Sequence, residues 1–152
     1  EKNYDVTAPA IKVFPQELRR VIINLVNNAF YAVHERATKS NANKDETKYK
    51  PQVSVATHVV NQFLEITITD NGTGIPDAIK DKIYNPFFTS KPTGKGTGLG
   101  LSVSFDIIEK QHGGKLKFES EQGVGTVFTI SLPLIAPPDL KQNNGDVKKS
   151  VV

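Results

Sequence analysis

The segment QELRRVIINLVNNAFYAVHERA, residues 16–37, is a long amphipathic stretch. Its apolar residues recur every three or four positions, which is the period of a helix with one buried face. Pro15 suits the first turn of such a helix, because the N–H group that proline lacks would have no partner there. We therefore expect a helix over residues 16–37, with a buried stripe formed by Leu18, Val21, Ile22, Leu25, Val26, Ala29, Ala32 and Val33.

Four later segments alternate between apolar and polar residues, as strands with one buried face do. Residues 52–59 and 63–69 flank the turn Asn61-Gln62. Residues 115–120 and 126–132 flank the turn sequence EQGVG. We therefore expect two antiparallel hairpins.

Two shorter helices and one edge strand complete the expected pattern. One helix follows Pro76 over residues 77–84, and the other covers residues 99–112 and ends at two glycines. The opening stretch, with Val6 and Ile11–Val13, is expected to add the edge strand. This order of elements predicts an α/β two-layer sandwich, in which a mixed, mostly antiparallel sheet is covered on one face by about three helices.

Length and composition favour one globular domain. The 152 residues carry 19 Lys and Arg, 16 Asp and Glu, and no cysteine, so disulfides, thiolate catalysis and zinc–cysteine sites are excluded. We place the domain at residues 1–136, with a solvated loop at residues 38–51 and a polar tail or linker at residues 137–152. No apolar run reaches the ~18 residues that a membrane span needs. A net charge of +3 does not favour nucleic acid binding but suits an anionic ligand such as a nucleotide.

Three asparagines stand close together on the long helix, in NLVNNA at residues 24–29. Asn24 and Asn28 lie one turn apart on the same face, beside the apolar stripe, whereas Asn27 points further toward water. Asparagine is a poor helix former, so the cluster carries a local cost. An amide oxygen at the rim of a core suits Mg²⁺, but for this cluster taken alone we favour solvated polar residues on an amphipathic helix.

The motif DNGTGIP, residues 70–76, follows directly after an alternating strand. A carboxylate at a strand end, followed by two glycines, places an acceptor where the backbone can approach a flat ring closely. The exocyclic amine of adenine is a natural partner for Asp70. The alternative is a plain hairpin turn, but the residues that follow fit a helix better than a strand.

The motif NPFFTSK, residues 85–91, sets two aromatic residues before a polar loop. We expect Phe87 and Phe88 to pack as anchors at one end of a mobile lid, which would leave Lys91 able to reach a phosphate.

The motif TGKGTGLGLSVS, residues 93–104, carries four glycines that lead into a helix. Exposed backbone N–H groups and the start of a helix together attract anions, so phosphate binding is preferred here over a plain flexible loop. The spacing matches neither the Rossmann nor the Walker pattern.

Taken in order, NLVNNA, DNGTGIP, NPFFTSK and GKGTGLGL resemble the N, G1, F and G2 boxes of the catalytic ATP-binding domain of bacterial sensor histidine kinases. That domain belongs to the GHKL superfamily, with gyrase B, heat-shock chaperones and mismatch-repair ATPases. GVGTVFTISLP, residues 123–133, resembles the last glycine motif and strand of the family. The resemblance implies the GHKL (Bergerat) fold, binding of ATP with Mg²⁺, and transfer of the γ-phosphate to a histidine.

The resemblance also implies roles for individual positions. Asn28 corresponds to the magnesium-binding asparagine and Asp70 to the adenine-binding aspartate. The ATP lid would span about residues 76–98. The other implied nucleotide-binding positions are Gly72, Gly74, Ile75, Lys91, Lys95, Gly96, Thr97, Gly98, Leu99, Gly100, Leu101 and Thr126.

Two positions bear on the reaction. In the related ATPases a glutamate stands one turn before the magnesium asparagine, whereas Asn24 stands here, as in histidine kinases. A neutral imidazole attacks with its own lone pair and needs no such base, so we expect slow hydrolysis, with Asn24 and Lys91 as the catalytic residues. Many relatives carry a basic residue three places after the asparagine, but this chain has Tyr31 there, so either Arg36 or Lys91 could contact the phosphates.

The acceptor histidine is expected elsewhere. His34, His58 and His112 are expected to be structural or solvent-facing. The resemblance implies an acceptor on a dimerisation domain before Glu1, a homodimeric full-length protein, and a response regulator receiver domain as the next phosphate carrier. It also implies a cytoplasmic location, with no contact between this domain and membrane or nucleic acid.

Other functions stay open from the sequence. They are a non-catalytic, nucleotide-sensing kinase-like module, a related ATPase or protein kinase of the same fold, and an interaction domain with glycine-rich loops. Asn24 argues against the ATPase.

Overall fold

A five-stranded sheet forms one layer of the protein and helices form the other. The computed structural model describes residues 1–5, 8–42, 49–92 and 96–134. Strand order is β1-β2-β3-β5-β4, and every neighbouring pair is antiparallel except β1 and β2. The strands are β1 Lys2–Asn3, β2 Val53–Val60, β3 Phe63–Asp70, β4 Lys115–Glu121 and β5 Gly125–Pro133. The helices are α1 Pro15–Ala42, a 3₁₀ helix Asp77–Lys82, and α2 Gly100–Asp106, which continues as a π-helical turn over Ile107–Gln111. The predicted two-layer fold is confirmed.

Helix α1 packs on the sheet through its predicted apolar stripe. Val21, Leu25, Ala29 and Val33, spaced four residues apart, are all buried. The helix ends at Ala42, so the prediction of a loop beginning at residue 38 was wrong over residues 38–42. Polar groups there find partners within the helix: the Thr38 hydroxyl donates to the His34 carbonyl oxygen, and Lys39 pairs with Glu35. Residues 43–48 of the predicted loop lie outside the described residues.

The two hairpins form as predicted, with β2 shifted by one residue and the other three strands one or two residues longer. Facing residues on β3, β5 and β4 lie at alternate positions, for example Ile66 opposite Ile130 and Ile68 opposite Phe128. These side chains are buried beneath the helices. Asp70 and Thr126 continue the same inward-facing series at the end of β3 and the start of β5, so the alternation carries two polar side chains to the edge of the core.

Two elements differ from the sequence expectations, the edge strand and the short helix after Pro76. Ile11–Val13 are described but form no strand; the edge strand is Lys2–Asn3, which pairs with β2 through backbone bonds such as Val55 N–H to the Glu1 oxygen. Val6 lies outside the described residues, as does the tail at residues 137–152. The helix predicted over residues 77–84 is a 3₁₀ helix that ends at Lys82.

The helix predicted over residues 99–112 changes character at Ile107. Its last turn is π-helical because the carbonyl oxygen of Ile107 accepts from the His112 backbone N–H at 3.2 Å and contacts His112 Nδ1 at 2.8 Å. The Nε2 atom of the same ring accepts from the Phe14 N–H at 3.0 Å. The buried His112 ring therefore connects the end of this helix to the start of α1, and it is structural, as the sequence predicted. His34 and His58 are exposed.

Candidate functional site

A cavity of about 560 Å³ opens between α1, the end of β3 and the start of α2. Its volume is within the range of small-molecule sites, roughly 300–1,000 Å³. Most of the predicted site residues line it, although they come from distant parts of the sequence: Asn24, Asn28, Asp70, Gly74, Ile75, Lys91, Gly96, Thr97, Gly98, Gly100, Leu101 and Thr126.

Two of the described predicted residues do not line the cavity, and a third predicted residue is not described. Gly72 lies behind it, against α1, where an added Cβ would stand 2.5 Å from the Cβ of Ala32. Leu99 lines an adjacent groove between α1 and α2. Lys95 lies outside the described residues.

Asp70 is a buried carboxylate at one end of the cavity. Its Oδ1 accepts from the Gly72 N–H at 2.8 Å, which orients the group. Burial raises the pKa of Asp70, and hydrogen bonds from the backbone N–H groups of Gly72 and Thr126 act in the opposite direction. In such a partly dry setting a hydrogen bond to a ligand donor is stronger than it would be in water.

The backbone beside Asp70 approaches the β4–β5 hairpin closely. Gly74 has a φ of +66°, and an added Cβ would stand 2.0 Å from the carbonyl oxygen of Glu121. Only glycine fits this position without rearrangement. The next residue, Ile75, donates its N–H to Ser120 Oγ at 2.8 Å, and Ser120 Oγ lies 2.9 Å from Thr126 Oγ1.

Ser120 is one residue that the sequence reading missed. It is paired with Thr126 in the β4–β5 register, at an inward-facing position of an alternating strand. A polar residue at an inward-facing position of a strand is the sequence feature that could have identified it. Ser120 itself contacts two lining residues and does not line the cavity. The lining residues that were not predicted as site residues are Asn27, Ala29, Tyr31, Ala32, Glu35, Thr73, Ile79, Ile83, Phe88, Thr89, Ser90 and Phe128.

Lys91 and Asn28 meet at the other end of the cavity. Lys91 Nζ donates to Asn28 Oδ1 at 2.8 Å and lies 4.6 Å from the centre of the Tyr31 ring. Burial lowers the pKa of Lys91. Arg36, the other cation left open by the sequence, instead donates to backbone carbonyl oxygens behind the cavity. The structure therefore brings Lys91, and not Arg36, into this end of the cavity.

The glycine-rich segment lets the start of α2 come close to α1. An added Cβ at Gly100 would stand 2.2 Å from Asn24 Oδ1, and Asn24 Nδ2 donates to Ser104 Oγ at 3.1 Å. Gly98 has a φ of +68°, and its added Cβ would stand 2.3 Å from the carbonyl carbon of Phe87. The backbone contact leaves no room for a side chain at Gly98, whereas a side chain at Gly100 would displace the Asn24 amide.

The two aromatic residues of the NPFFTSK motif differ in their surroundings. Phe88 packs against the core, as predicted, but Phe87 is 75% exposed, so the prediction that both act as packing anchors was wrong for Phe87. Its φ of +66° turns the chain so that its backbone, and not its ring, contacts Gly98.

Comparisons with known proteins identify the family of this chain. The model of the family described as histidine kinase-, DNA gyrase B-, and HSP90-like ATPase matches residues 14–136. The sensor histidine kinase ZraS of Salmonella typhimurium is 41% identical over 130 residues, which cover 86% of this chain and 24% of that protein. The histidine kinase/phosphatase NtrB of Vibrio alginolyticus is 33% identical over 136 residues, covering 89% of this chain and 37% of that protein.

A solved structure is also similar. The catalytic domain of the histidine kinase ThkA aligns with a TM-score of 0.67 at 30% identity, covering 88% of this chain and 78% of that chain. The chain thus spans most of a solved catalytic domain but about a quarter of the length of ZraS. Within the described residues, α1 is long enough but too polar to cross a membrane, and the other helices are too short.

Proposed function

Because this chain belongs to the histidine kinase-, DNA gyrase B-, and HSP90-like ATPase family and is the catalytic domain of a two-component sensor histidine kinase, we propose that its cavity binds ATP with Mg²⁺ and presents the γ-phosphate to a histidine on a dimerisation domain. Family membership implies the binding of ATP. The metal, the residue roles and the partners are our inference. The observation that carries the proposal is that Asp70 and Asn28, from different elements, line one cavity.

Asp70 is assigned to the adenine end. Its carboxylate would accept a hydrogen bond from the exocyclic amine, and the Gly72 N–H bond to Oδ1 orients it for that contact. Guanine has a carbonyl oxygen at the equivalent ring position, which a carboxylate would repel. Ile75 would pack against the ring, Gly74 would let the backbone approach it, and Thr126 would bind it through water. Gly72 would act from behind the cavity, where its lack of a side chain lets the turn after Asp70 lie against α1.

The opposite end has residues that fit a metal and phosphates. Asn28 Oδ1 already accepts from an ammonium group at 2.8 Å, so this amide oxygen is directed at a cation. Amide oxygens are ligands that Mg²⁺ accepts. When bound, Mg²⁺ would neutralise charge on the phosphate oxygens during phosphoryl transfer. The proposed phosphate-facing residues are Lys91, Lys95, Gly96, Thr97, Gly98, Leu99, Gly100 and Leu101.

Asn24 favours transfer to an imidazole over hydrolysis. Its amide donates to Ser104 Oγ and offers no basic group that could take a proton from water. A neutral histidine brings its own lone pair, so it needs no base at this position. Asn24 would act by joining α1 to α2 at the site, while Lys91 would contact the transferred group.

The partners follow from the same proposal. Of the described histidines, His112 is buried with both ring nitrogens in polar contacts, and His34 and His58 do not line the cavity. We infer that the acceptor lies on a dimerisation domain of the same protein, which would act as a homodimer, and that a response regulator receiver domain takes the phosphate next. A cytoplasmic location, with no membrane or nucleic acid contact by this domain, belongs to the same inference.

Calorimetric titration with Mg-ADP tests the adenine assignment. Asp70→Asn should weaken binding roughly tenfold or more, because a hydrogen bond to a charged group contributes about 1.5–3 kcal/mol. Asp106→Asn is the matched control, since this exposed carboxylate on α2 pairs with Lys110 away from the cavity. Unchanged binding by Asp70→Asn would contradict the adenine assignment, and failure of the unaltered chain to bind would contradict the proposed function.

Phosphoryl transfer is tested in the full-length protein with γ-labelled ATP. The expected product is an acid-labile label on a histidine outside this domain, abolished by Asn28→Ala. Tight nucleotide binding with no label on any histidine would favour the nucleotide-sensing module instead.

A further inference from the structure

A polar cluster lies behind the adenine end of the cavity. It consists of Arg36 on α1, Tyr49 shortly before β2, and Asn71 directly after β3. We call these three residues the Arg36 cluster. None of the three residues lines the cavity, and the sequence motifs did not predict that they would contact one another.

Arg36 ties three parts of the chain together. Its Nη1 donates to the carbonyl oxygens of Asn71 at 3.0 Å and Val124 at 3.1 Å, with a longer contact to Gly72 at 3.4 Å. Asn71 and Gly72 form the turn after Asp70, and Val124 lies in the turn of the β4–β5 hairpin. Carbonyl oxygens that converge in this way create a negative potential, which the guanidinium group offsets.

Tyr49 and Asn71 complete the cluster. The guanidinium carbon of Arg36 lies 4.7 Å from the centre of the Tyr49 ring. The Tyr49 hydroxyl lies 3.0 Å from the Asn71 carbonyl oxygen and 3.1 Å from Asn71 Oδ1. The Asn71 side chain also accepts from the Gln52 N–H at 2.8 Å and donates to the Lys50 carbonyl oxygen at 2.9 Å. The backbone that carries Asp70 is thereby bonded on its outer side to α1 and to the entry of β2.

The position of Arg36 on the helix gives this cluster its significance. Arg36 and Asn28 are on the same helix, eight residues or about 12 Å apart. A rigid helix thus connects the proposed metal end of the cavity to the turn after Asp70, the residue proposed to recognise the purine. The Gly72 N–H, which bonds Asp70 Oδ1, belongs to the same turn that Arg36 grips.

We propose that Arg36 and Tyr49 are positioning residues for purine selection. By clamping the Asn71–Gly72 backbone against α1, they set the direction of the Asp70 carboxylate and so the preference for adenine over guanine nucleotides. This inference rests on the proposed function, because it takes Asp70 as the group that reads the purine. Neither residue touches the nucleotide.

The test compares affinities for Mg-ADP and Mg-GDP in folded protein, measured by calorimetry. The preference for adenine is the dissociation constant for Mg-GDP divided by that for Mg-ADP. Arg36→Gln should lower this ratio roughly tenfold, and Tyr49→Phe should lower it a few-fold. Lys39→Gln is the matched control, since it removes one positive charge from the exposed side of the same helix and should leave the ratio unchanged. A loss of stability alone would reduce the folded fraction for both nucleotides equally and would not change the ratio.

The outcomes distinguish a failure of the proposed function from a failure of the role proposed for the Arg36 cluster. If the unaltered chain fails to bind Mg-ADP or to prefer it over Mg-GDP, the proposed function or its adenine assignment fails, and this inference fails with it. If the unaltered chain discriminates and both variants keep the full ratio, only the role of the Arg36 cluster is overturned. Should Arg36→Gln not fold, Tyr49→Phe decides alone, because it removes a single oxygen atom.

Discussion

The ammonium group of Lys91 lies 2.8 Å from Oδ1 of Asn28, so the last residue of the NPFFTSK motif is bonded to helix α1 across the cavity lining. The same lysine lies over the Tyr31 ring at 4.6 Å. The resemblance implied a basic residue at the position of Tyr31, and the structure brings a lysine from elsewhere in the chain to this place.

Lys91→Gln should weaken binding of the phosphates without affecting binding of the adenosine part of the ligand. We expect affinity for Mg-ADP to fall roughly tenfold while affinity for adenosine is unchanged, because only the phosphates would contact this cation. Calorimetry or a thermal-shift series with both ligands measures the difference. Lys110→Gln, an exposed lysine that pairs with Asp106, is the control. An equal loss for adenosine and Mg-ADP would show that Lys91 acts on the fold and not on the phosphates.

Asp70→Asn should stabilise the nucleotide-free protein at neutral pH. The raised pKa of Asp70 means that the folded protein binds its proton more tightly than the unfolded chain does, so this group's contribution to the free energy of unfolding falls as pH rises from the ordinary aspartate value through the raised one. The asparagine does not titrate. Its advantage over the unaltered chain should therefore be small near pH ~4 and largest near pH ~7.

Urea denaturation of the two proteins at several pH values measures this difference. A gap that stays constant with pH, or that favours the aspartate at neutral pH, would be inconsistent with burial as the dominant influence on the pKa of Asp70.

Gly98→Ala and Gly123→Ala should differ, although both glycines have positive φ. At Gly98 an added Cβ would stand 2.3 Å from the Phe87 backbone, whereas nothing lies within 4 Å of the same atom at Gly123. We expect Gly123→Ala to cost about 1–2 kcal/mol of stability and to keep Mg-ADP affinity. Gly98→Ala should cost more and weaken nucleotide binding, because the backbone at the cavity must shift. Equal effects on affinity would argue that the contact with Phe87 is unimportant.

His112→Ala should destabilise the protein by roughly 2–4 kcal/mol, because it leaves a cavity and removes the acceptor of the Phe14 N–H. It also removes an edge-to-face ring contact with Phe14, at a centroid distance of 5.4 Å. His34→Ala, at an exposed position, should stay within about 0.5 kcal/mol of the unaltered protein. Chemical denaturation of both variants measures the contrast, and similar values would refute a structural role for His112.

The local period of the sequence was sufficient for the secondary structure and much of the site. The apolar stripe on α1 and the alternation in β2 to β5 are repeated signals, so the elements were predicted to within a few residues at most boundaries. For Asp70, Asn28 and Gly100, the residue type alone suggests the role: a carboxylate, an amide oxygen and the absence of a side chain. The sequence analysis also expected them to line one cavity, as they do. Helix α1 runs beyond its predicted end. Thr38 and Lys39 reach their partners, the carbonyl oxygen of His34 and the carboxylate of Glu35, only when this segment is helical.

Only the tertiary structure decided which distant residues meet. The sequence left Arg36 and Lys91 as equal candidates for the phosphate end, since charge alone carries no direction. The fold directs Lys91 into the cavity and Arg36 to the carbonyl oxygens behind it. It likewise exposes Phe87 while burying part of Phe88, and it connects Ser120 to Ile75 and Thr126. Hydrophobic periodicity is a local property that a short window of sequence contains, whereas these contacts join residues far apart in the chain and exist only after the sheet and helices have packed.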